Sequence, residues 1–294
     1  MHVEKRLTKN VLAAHFLNGK QILVKRVREL NESEATSIAQ DLETLFSFDR
    51  HLQILRVVEL NEASLLADIK HCALEMPHGL MQPSTAALNN VFIQINKGVL
   101  NLLSSLKTLL DFAETYLKRK YGEKSKQFQL FKKEQAIKFD ESFSYRFCYK
   151  LRNYAQHCGL PVGGLETQAT HLSPTEMLSN YTVTLYRDHL LSDFDWGRHV
   201  EEDLTKLPEA FDLQIHLCSF TADVKSLCGV LIELDFPSIK ISLDRIALLV
   251  QEVSSKYADG KPVLYNLSVN EKSYGDTYWL PIELIEEIQA YDNT

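Results

Sequence analysis

Residues 87–121 read ALNNVFIQINKGVLNLLSSLKTLLDFAETYLKRKY and carry a regular apolar pattern. Apolar side chains recur in it every three or four positions: Val91, Ile95, Val99, Leu102, Leu103, Leu106, Leu109, Leu110, Ala113 and Leu117. Because an α-helix turns once in 3.6 residues, this spacing places them on one side of a helix. The sequence therefore predicts one long amphipathic helix that buries this side.

Two further helices are predicted on the C-terminal side of this stretch. Gly122 ends the long helix, and a shorter basic helix follows at residues 126–138. Residues 140–142, Asp-Glu-Ser, supply side chains that cap a helix N-terminus, so the next helix runs from about residue 143 until Gly159 ends it. Together these elements predict a helical bundle over residues 85–165.

The N-terminal region, residues 1–80, is predicted to be mainly helical. Apolar periodicity indicates helices at 33–45 and 62–74, and a short apolar run at 21–27 indicates one strand. The segment 75–84 holds two prolines and a glycine, which interrupt helices. We therefore place a region boundary there.

The C-terminal region, residues 166–294, shows both kinds of pattern. Apolar residues alternate with others at 181–191 and 262–269, which predicts two strands that form a small β hairpin or two-stranded sheet. Helices are predicted between them, at 196–206, 208–234 and 237–257. The predicted fold is mainly α, a helical bundle with additional helices and this small sheet.

Composition limits the classes of protein that fit. The chain has 294 residues, 45% of them hydrophobic, which is enough for a sizeable core. Its five cysteines are scattered, the charged N-terminus does not resemble a signal peptide, and we expect no membrane-spanning segment, so we expect a cytoplasmic protein. We expect no cofactor and no metal site; the rival metal grouping His71, Cys72 and His78 lacks a second cluster of ligands.

Charge is distributed unevenly along a chain whose net charge is −7. Residues 114–152 hold eleven basic and five acidic side chains, a balance of +6, so the rest of the chain sums to −13. A local positive region on an acidic protein is typical of a surface that contacts a polyanion. The alternative is an ordinary solvated helix face.

The end of the helix predicted after residue 143 reads LRNYAQHCG at 151–159 and contains Arg152, Asn153 and His157. An arginine, a polar residue and a histidine a few positions later, in a helical domain, resemble the signature of the HEPN (higher eukaryotes and prokaryotes nucleotide-binding) superfamily. The resemblance covers about residues 87–165. It implies a metal-independent endoribonuclease that leaves 2′,3′-cyclic phosphate ends, of the kind found in toxin–antitoxin and phage-defence systems.

The resemblance also implies roles for these residues. His157 would act as general acid or base, the role that histidine takes most often in catalysis. Arg152 would bind the phosphate, and Asn153 would orient His157 or contact the substrate. Arg146, Lys150, Tyr149 and Tyr154 are candidate RNA-binding residues, the first two because they share a helix side with Asn153 and His157 and the tyrosines because rings can stack on bases.

One geometric difficulty favours a homodimer. Five residues at about 100° each separate Arg152 from His157 by about 140° around a helix, so one unbroken helix does not aim both at one phosphate. Members of the family pair two motifs across an interface, and this chain holds one motif. We therefore predict a homodimer with the motif at its interface, and a regulatory or antitoxin protein is a further expected partner.

Other functions fit the same sequence. The helical module could bind RNA, a nucleotide or a protein partner without cleaving RNA, or it could serve as an adaptor subunit. Taken singly, Arg152 and His157 are also ordinary helix-end residues that pair with carboxylates or with the helix dipole. The sequence contains neither a G-x-S-x-G motif nor a phosphate-binding G-x-x-x-x-G-K motif, which argues against the hydrolases and nucleoside triphosphatases that use them.

Overall fold

The computed structural model describes residues 8–18, 21–75, 84–173, 176–268 and 274–292. The chain divides into two compact units. The first unit combines residues 1–50 with 235–294, and the second is residues 51–234. These units do not follow the three consecutive regions expected from the sequence, because the first unit joins the two ends of the chain.

The structure is mainly helical, which confirms the predicted fold class. Its elements in chain order are β1 (Thr8–Asn18), β2 (Gln21–Leu30), α1 (Glu32–Glu75), α2 (Thr85–Tyr121), α3 (Lys126–Glu141), α4 (Phe143–His157), β3 (Gly164–Ser173), β4 (Glu176–Tyr186), α5 (Arg187–Asp193), α6 (Arg198–Leu204), β5 (Ala210–Asp212), α7 (Leu213–Lys256), β6 (Lys261–Ser268), β7 (Tyr274–Trp279) and α8 (Ile282–Asp292).

The long amphipathic helix is confirmed as α2. The Ser84 side chain accepts a hydrogen bond from the backbone N–H of Ala87, and Gly122 ends the helix with a φ of 89°, a conformation that favours glycine. The buried positions of α2 include the ten apolar residues of the predicted stripe except Val91, which is half-buried. Burial of this stripe supplies much of the core of the second unit.

The next two helices are confirmed as α3 and α4. Ser125 and Ser142 cap them, accepting hydrogen bonds from the backbone N–H groups of Phe128 and Tyr145 at 3.2 Å each. The helices α2, α3 and α4 pack pairwise on one another. The predicted bundle around residues 85–165 therefore has its three expected helices.

The N-terminal prediction was partly wrong. Instead of two helices, α1 is one continuous helix of 44 residues, which Asn31 caps by accepting from the N–H of Glu34. The sequence between the two predicted helices contains no glycine or proline, so nothing there interrupts a helix. The strand predicted at 21–27 is confirmed within β2, but its neighbour β1 was missed.

The two strands predicted in the C-terminal region exist, as β4 and β6, but their predicted pairing was wrong. In the described residues, β4 lies in a three-stranded sheet of order β3-β4-β5, and β6 lies in a four-stranded sheet of order β2-β1-β6-β7. One partner of β6 is β7, which follows it in sequence, and the other is β1, which comes from the opposite end of the chain. Such a long-range pairing leaves no local pattern in the sequence.

The helices of the C-terminal region also differ from the prediction. Residues 213–256 form one helix, α7, with Pro237 inside it, where two helices separated before Pro237 were expected. Pro208 precedes the short strand β5 rather than starting a helix. By length and composition α7 is also the one described helix that could cross a membrane, and 44% of its most apolar window is buried within the protein.

Candidate functional site: the α4 helix and the basic corner of α2 and α3

The helix α4 carries all the residues singled out by the sequence motif. It is unbroken from Phe143 to His157, so Arg146, Lys150, Asn153 and His157 lie along one side of it, as their spacing predicts. Arg152 lies about 140° around the helix from His157. One copy of the chain therefore brings Asn153 and His157 to one side of α4 and leaves Arg152 on another.

Arg146 is bound within the protein rather than presented to solvent. Its guanidinium donates to the carbonyl oxygens of Phe139 at 2.6 Å and Asp140 at 2.7 Å, and to the carboxylate of Asp203 at 2.7 Å. This guanidinium holds the pKa of Asp203 below its usual value, because the hydrogen bond favours the charged carboxylate. Arg146 thus ties α4 to the end of α3 and to α6.

Lys150 and Tyr154 face the segment before α6. The Lys150 ammonium donates to the carbonyl oxygen of Trp196. The Tyr154 ring is buried and stacks on the Trp196 ring with a centroid distance of 5.7 Å, and Phe194 meets it edge to face at 5.9 Å. Burial raises the pKa of Tyr154. Both side chains make contacts that hold the domain together.

Tyr149 occupies a different side of α4, toward α2. The Lys107 ammonium lies 4.9 Å from the centre of its ring, and the Tyr145 ring stacks against it at 6.4 Å. Tyr149 is half-buried, and it lines a shallow cavity together with carboxylates of α2 and α3. Its ring is engaged in packing and cation–π contact with its own chain.

Arg152, Asn153 and His157 remain the most available residues of the motif. Arg152 Nη1 donates weakly to Asn153 Oδ1 at 3.4 Å, while Arg152 Nε is buried without a hydrogen-bond partner in the described structure. His157 is exposed at the C-terminal end of α4. The structure thus presents a solvent-accessible imidazole beside an amide, with the guanidinium partly withdrawn into the protein.

The positive charge of residues 114–152 is concentrated elsewhere. Residues 116–133 alone hold seven basic and one acidic side chain, the whole surplus of +6, and they span the end of α2, the connecting turn and the start of α3. We call this surface the basic corner, defined by Lys118, Arg119, Lys120, Lys124, Lys126 and Lys133. Residues 134–152 hold four basic and three acidic side chains, and three of the basic ones, Lys138, Arg146 and Lys150, are bonded within the protein.

Several cations of the basic corner are free. Arg119, Lys124, Lys126 and Lys133 are exposed, and none has an ion-pair partner among the residues that the structure describes. The Lys118–Glu123 pair at 3.0 Å is exposed on both sides and therefore contributes little. Lys120 lies over the rings of Tyr116 and Tyr121, at 5.3 and 5.4 Å.

The basic corner lies at the C-terminal end of α2, whereas α4, which carries the motif, packs against a more N-terminal part of α2. Tyr149 of α4 packs at Lys107, and Lys107 is about 20 Å from Tyr121 along the helix at 1.5 Å per residue. His157 lies two turns further along α4 than Tyr149. A ligand that touches both surfaces must therefore be an extended polymer.

A serine and a histidine that the sequence analysis did not single out also meet on α4. Ser144 Oγ lies 2.9 Å from His216 Nδ1, with the rings of Phe143, Phe147 and Phe211 around the imidazole. Burial lowers the pKa of His216, against the opposing effect of the Asp212 carboxylate. The two residues are 72 positions apart, so spacing gave no signal of this contact.

No group of three or more metal-binding side chains occurs in the part of the chain that the structure describes; His78 of the rival metal grouping lies outside that part. Comparison with known proteins adds no relative: no family model, no curated protein and no solved structure matches this chain. The functional argument therefore rests on the residues themselves.

Proposed function

We propose that this protein binds RNA and that the basic corner is its main contact with the phosphate backbone. The observation that carries the proposal is the location of the surplus charge: Arg119, Lys124, Lys126 and Lys133 are exposed and have no ion-pair partner among the described residues, whereas Arg146 and Lys150 are bonded within the protein. Binding of phosphates by such cations releases counterions, which favours association. The protein need not be basic overall for this, because the field near the corner is local.

Salt dependence and mutation test this proposal together. We expect a fluorescent single-stranded RNA of about 20 nucleotides to bind with an affinity that falls steeply with salt. The combined variant Lys124→Gln, Lys126→Gln and Lys133→Gln should bind at least about tenfold more weakly, with a salt slope smaller by about 2, since three phosphate contacts at about 0.7 each are lost. Fluorescence anisotropy at several salt concentrations measures both quantities.

A matched control separates location from net charge. The variant Lys70→Gln, Lys256→Gln, Lys261→Gln removes the same charge from exposed lysines outside the basic corner. It should keep the wild-type affinity and salt slope within about twofold. Equal losses in the two triple variants would show that general charge, and not the basic corner, governs binding.

A second candidate function is metal-independent RNA cleavage by the HEPN-like motif. The exposed His157 beside Asn153, on the accessible end of α4, supports it, because a general acid or base must reach the substrate. Arg152 faces another side of the same helix, so the proposal includes a homodimer in which the two motifs form one cleft. A cytoplasmic toxin or phage-defence effector with an antitoxin or regulatory partner belongs to this proposal.

Cleavage is tested by incubating the protein with labelled structured RNA in excess EDTA. Wild type should leave 2′,3′-cyclic phosphate ends, while His157→Ala and Arg152→Ala should lose at least about a hundredfold in rate. His199→Ala, at an exposed histidine of α6, is the control and should remain active. Binding without cleavage, or equal cleavage by all variants, would restrict the function to RNA binding.

A further inference from the structure

A groove lies in the first unit, between one face of the four-stranded sheet and the first part of α1. It encloses about 490 Å³, a volume typical of small-molecule sites. All four strands contribute to its floor, through Leu30, Asn10, Leu264, Asn266 and Tyr278. The RNA proposal concerns the second unit and leaves this groove without a role.

The sequence of α1 explains why the groove is open. Ala35, Ala39, Leu42 and Phe46 recur at intervals of four, three and four residues, so they line one side of the helix toward the sheet. The first two are alanines, whose short side chains leave space that larger residues would fill. The groove is therefore a consequence of two small residues on an otherwise core-forming side of α1.

The shape of the groove selects a chain-like occupant. Its α1 wall runs from Ala35 to Arg50, about 22 Å at 1.5 Å per residue, so the groove is elongated along the helix. An elongated space of this kind accommodates an extended hydrocarbon chain.

The polarity of the lining argues against a peptide. The backbone groups of the floor pair with neighbouring strands, as at Asn10 with Leu30 and with Asn266. Most of the described lining side chains are aliphatic or aromatic, while Asn10 and Asn266 are polar and Asn266 Oδ1 is buried without a hydrogen-bond partner in the described structure. An extended peptide would bury several N–H and C=O groups with few partners, which is unfavourable, whereas a hydrocarbon chain has no such groups.

The charge at one end of the groove identifies the head group. Arg50 lines the groove, is exposed, and forms no ion pair within the described ranges. Among the described lining residues the other ionised side chain is Glu43, which lies two turns earlier, about 10 Å along the helix axis. At that distance its repulsion of an anion at Arg50 is largely screened at physiological salt. An exposed guanidinium at the end of an apolar channel suits a carboxylate.

We propose that this groove binds a straight-chain fatty acid, with its chain between α1 and the sheet and its carboxylate at Arg50. The apolar chain contributes by burial of its methylene groups, and Arg50 selects the anionic head. Leu42 and Leu264 contact the chain from the two walls.

The test is calorimetric titration of the full-length protein with dodecanoate and with dodecyltrimethylammonium, both below micelle-forming concentrations. The two probes have the same chain and opposite charge. We expect dodecanoate to bind at least about tenfold more tightly. Equal affinity for the two probes, or tighter binding of adenosine monophosphate than of dodecanoate, would overturn the proposal.

Two variants with matched controls locate the site. Arg50→Gln should weaken dodecanoate binding about fivefold to tenfold, and Ala39→Leu should weaken it about tenfold or more by filling the groove. Arg56→Gln and Ala63→Leu make the same changes on α1 at exposed positions outside the groove lining and should bind like wild type. Circular dichroism checks that all four remain helical. Loss of binding in the controls, or retention in Arg50→Gln and Ala39→Leu, would show that dodecanoate binds elsewhere.

Discussion

The basic corner and the basic side of α4 look alike in the sequence and differ completely in the folded protein. Both belong to the same positively charged stretch of 39 residues, 114–152. On α4, Arg146 and Lys150 meet a carboxylate and a carbonyl group from residues about 50 positions later. At the corner, Arg119, Lys124, Lys126 and Lys133 meet only solvent within the described chain. A cation is therefore available to a ligand only where the fold brings no acceptor to it.

Removal of Arg146 should give the largest effect and tests the structural half of this comparison. Arg146→Ala leaves two carbonyl groups without this donor and leaves the half-buried Asp203 carboxylate with Lys206 as its remaining donor. We expect the free energy of unfolding to fall by about 2–3 kcal/mol. Urea denaturation measures it, with Arg119→Ala at the basic corner as the control, which should change stability by less than about 0.5 kcal/mol. If Arg146→Ala left the stability unchanged but weakened RNA binding, Arg146 would contribute to RNA binding and not to the fold.

Charge reversal at the basic corner should give the next largest effect and tests the binding half. Lys124→Glu replaces an attractive contact with a repulsive one beside other cations, so RNA affinity should fall about fivefold to tenfold at low salt. Stability should be unaffected, because Lys124 is exposed and has no partner in the described structure. Anisotropy and urea denaturation on the same sample decide this. If Lys124→Glu lowered the stability without weakening RNA binding, the basic corner, like the basic side of α4, would contribute to stability and not to binding.

Lys150 should give a smaller effect of the same kind as Arg146. Lys150→Met keeps the apolar stem but removes the ammonium that donates to the carbonyl oxygen of Trp196. We expect a loss of about 1 kcal/mol in the free energy of unfolding and less than a twofold change in RNA affinity. If Lys150→Met weakened RNA binding tenfold at unchanged stability, the α4 side would have to be counted as part of the interface.

The smallest expected effect is on how the stability of the protein depends on pH in the acid range. The pKa of Asp203 is lowered in the folded protein, chiefly by its hydrogen bond to Arg146. The unfolded chain therefore binds more protons below about pH 4, and the stability that this carboxylate contributes at neutral pH is lost as pH falls through its folded pKa. In Asp203→Asn this part of the acid dependence should disappear. Thermal unfolding between pH 3 and 7 measures it, and an unaltered profile would contradict the coupling.

Local patterns were sufficient for the helices that surround the candidate site. The apolar spacing of α2 and the serines before α3 and α4 act within one or two turns, so their effect is visible in sequence alone. The same is true of the position of Asn153 and His157 on one side of α4. Helix α1 was predicted as two helices with residues 46–61 left unassigned, although no glycine or proline there stops a helix.

The partners of the site residues could not be predicted in this way. Trp196 and Asp203 reach α4 from beyond two strands, and His216 reaches Ser144 across 72 residues. The groove in the first unit likewise needs β1 and β6, which lie at opposite ends of the chain. No periodicity or spacing reports such contacts, because they depend on how elements pack.

The sequence alone was sufficient to predict the mainly helical class, the approximate extents of α2, α3 and α4, the surplus positive charge between residues 114 and 152 and the presence of one arginine–asparagine–histidine motif. These properties follow from local backbone preferences and from composition. The tertiary structure determines which cations remain free: it places acceptors at Arg146 and Lys150 and buries Tyr154. It also leaves a groove beside Ala35 and Ala39. Availability and cavity shape are set by neighbours distant in sequence, because hydrogen bonds and packing act through space.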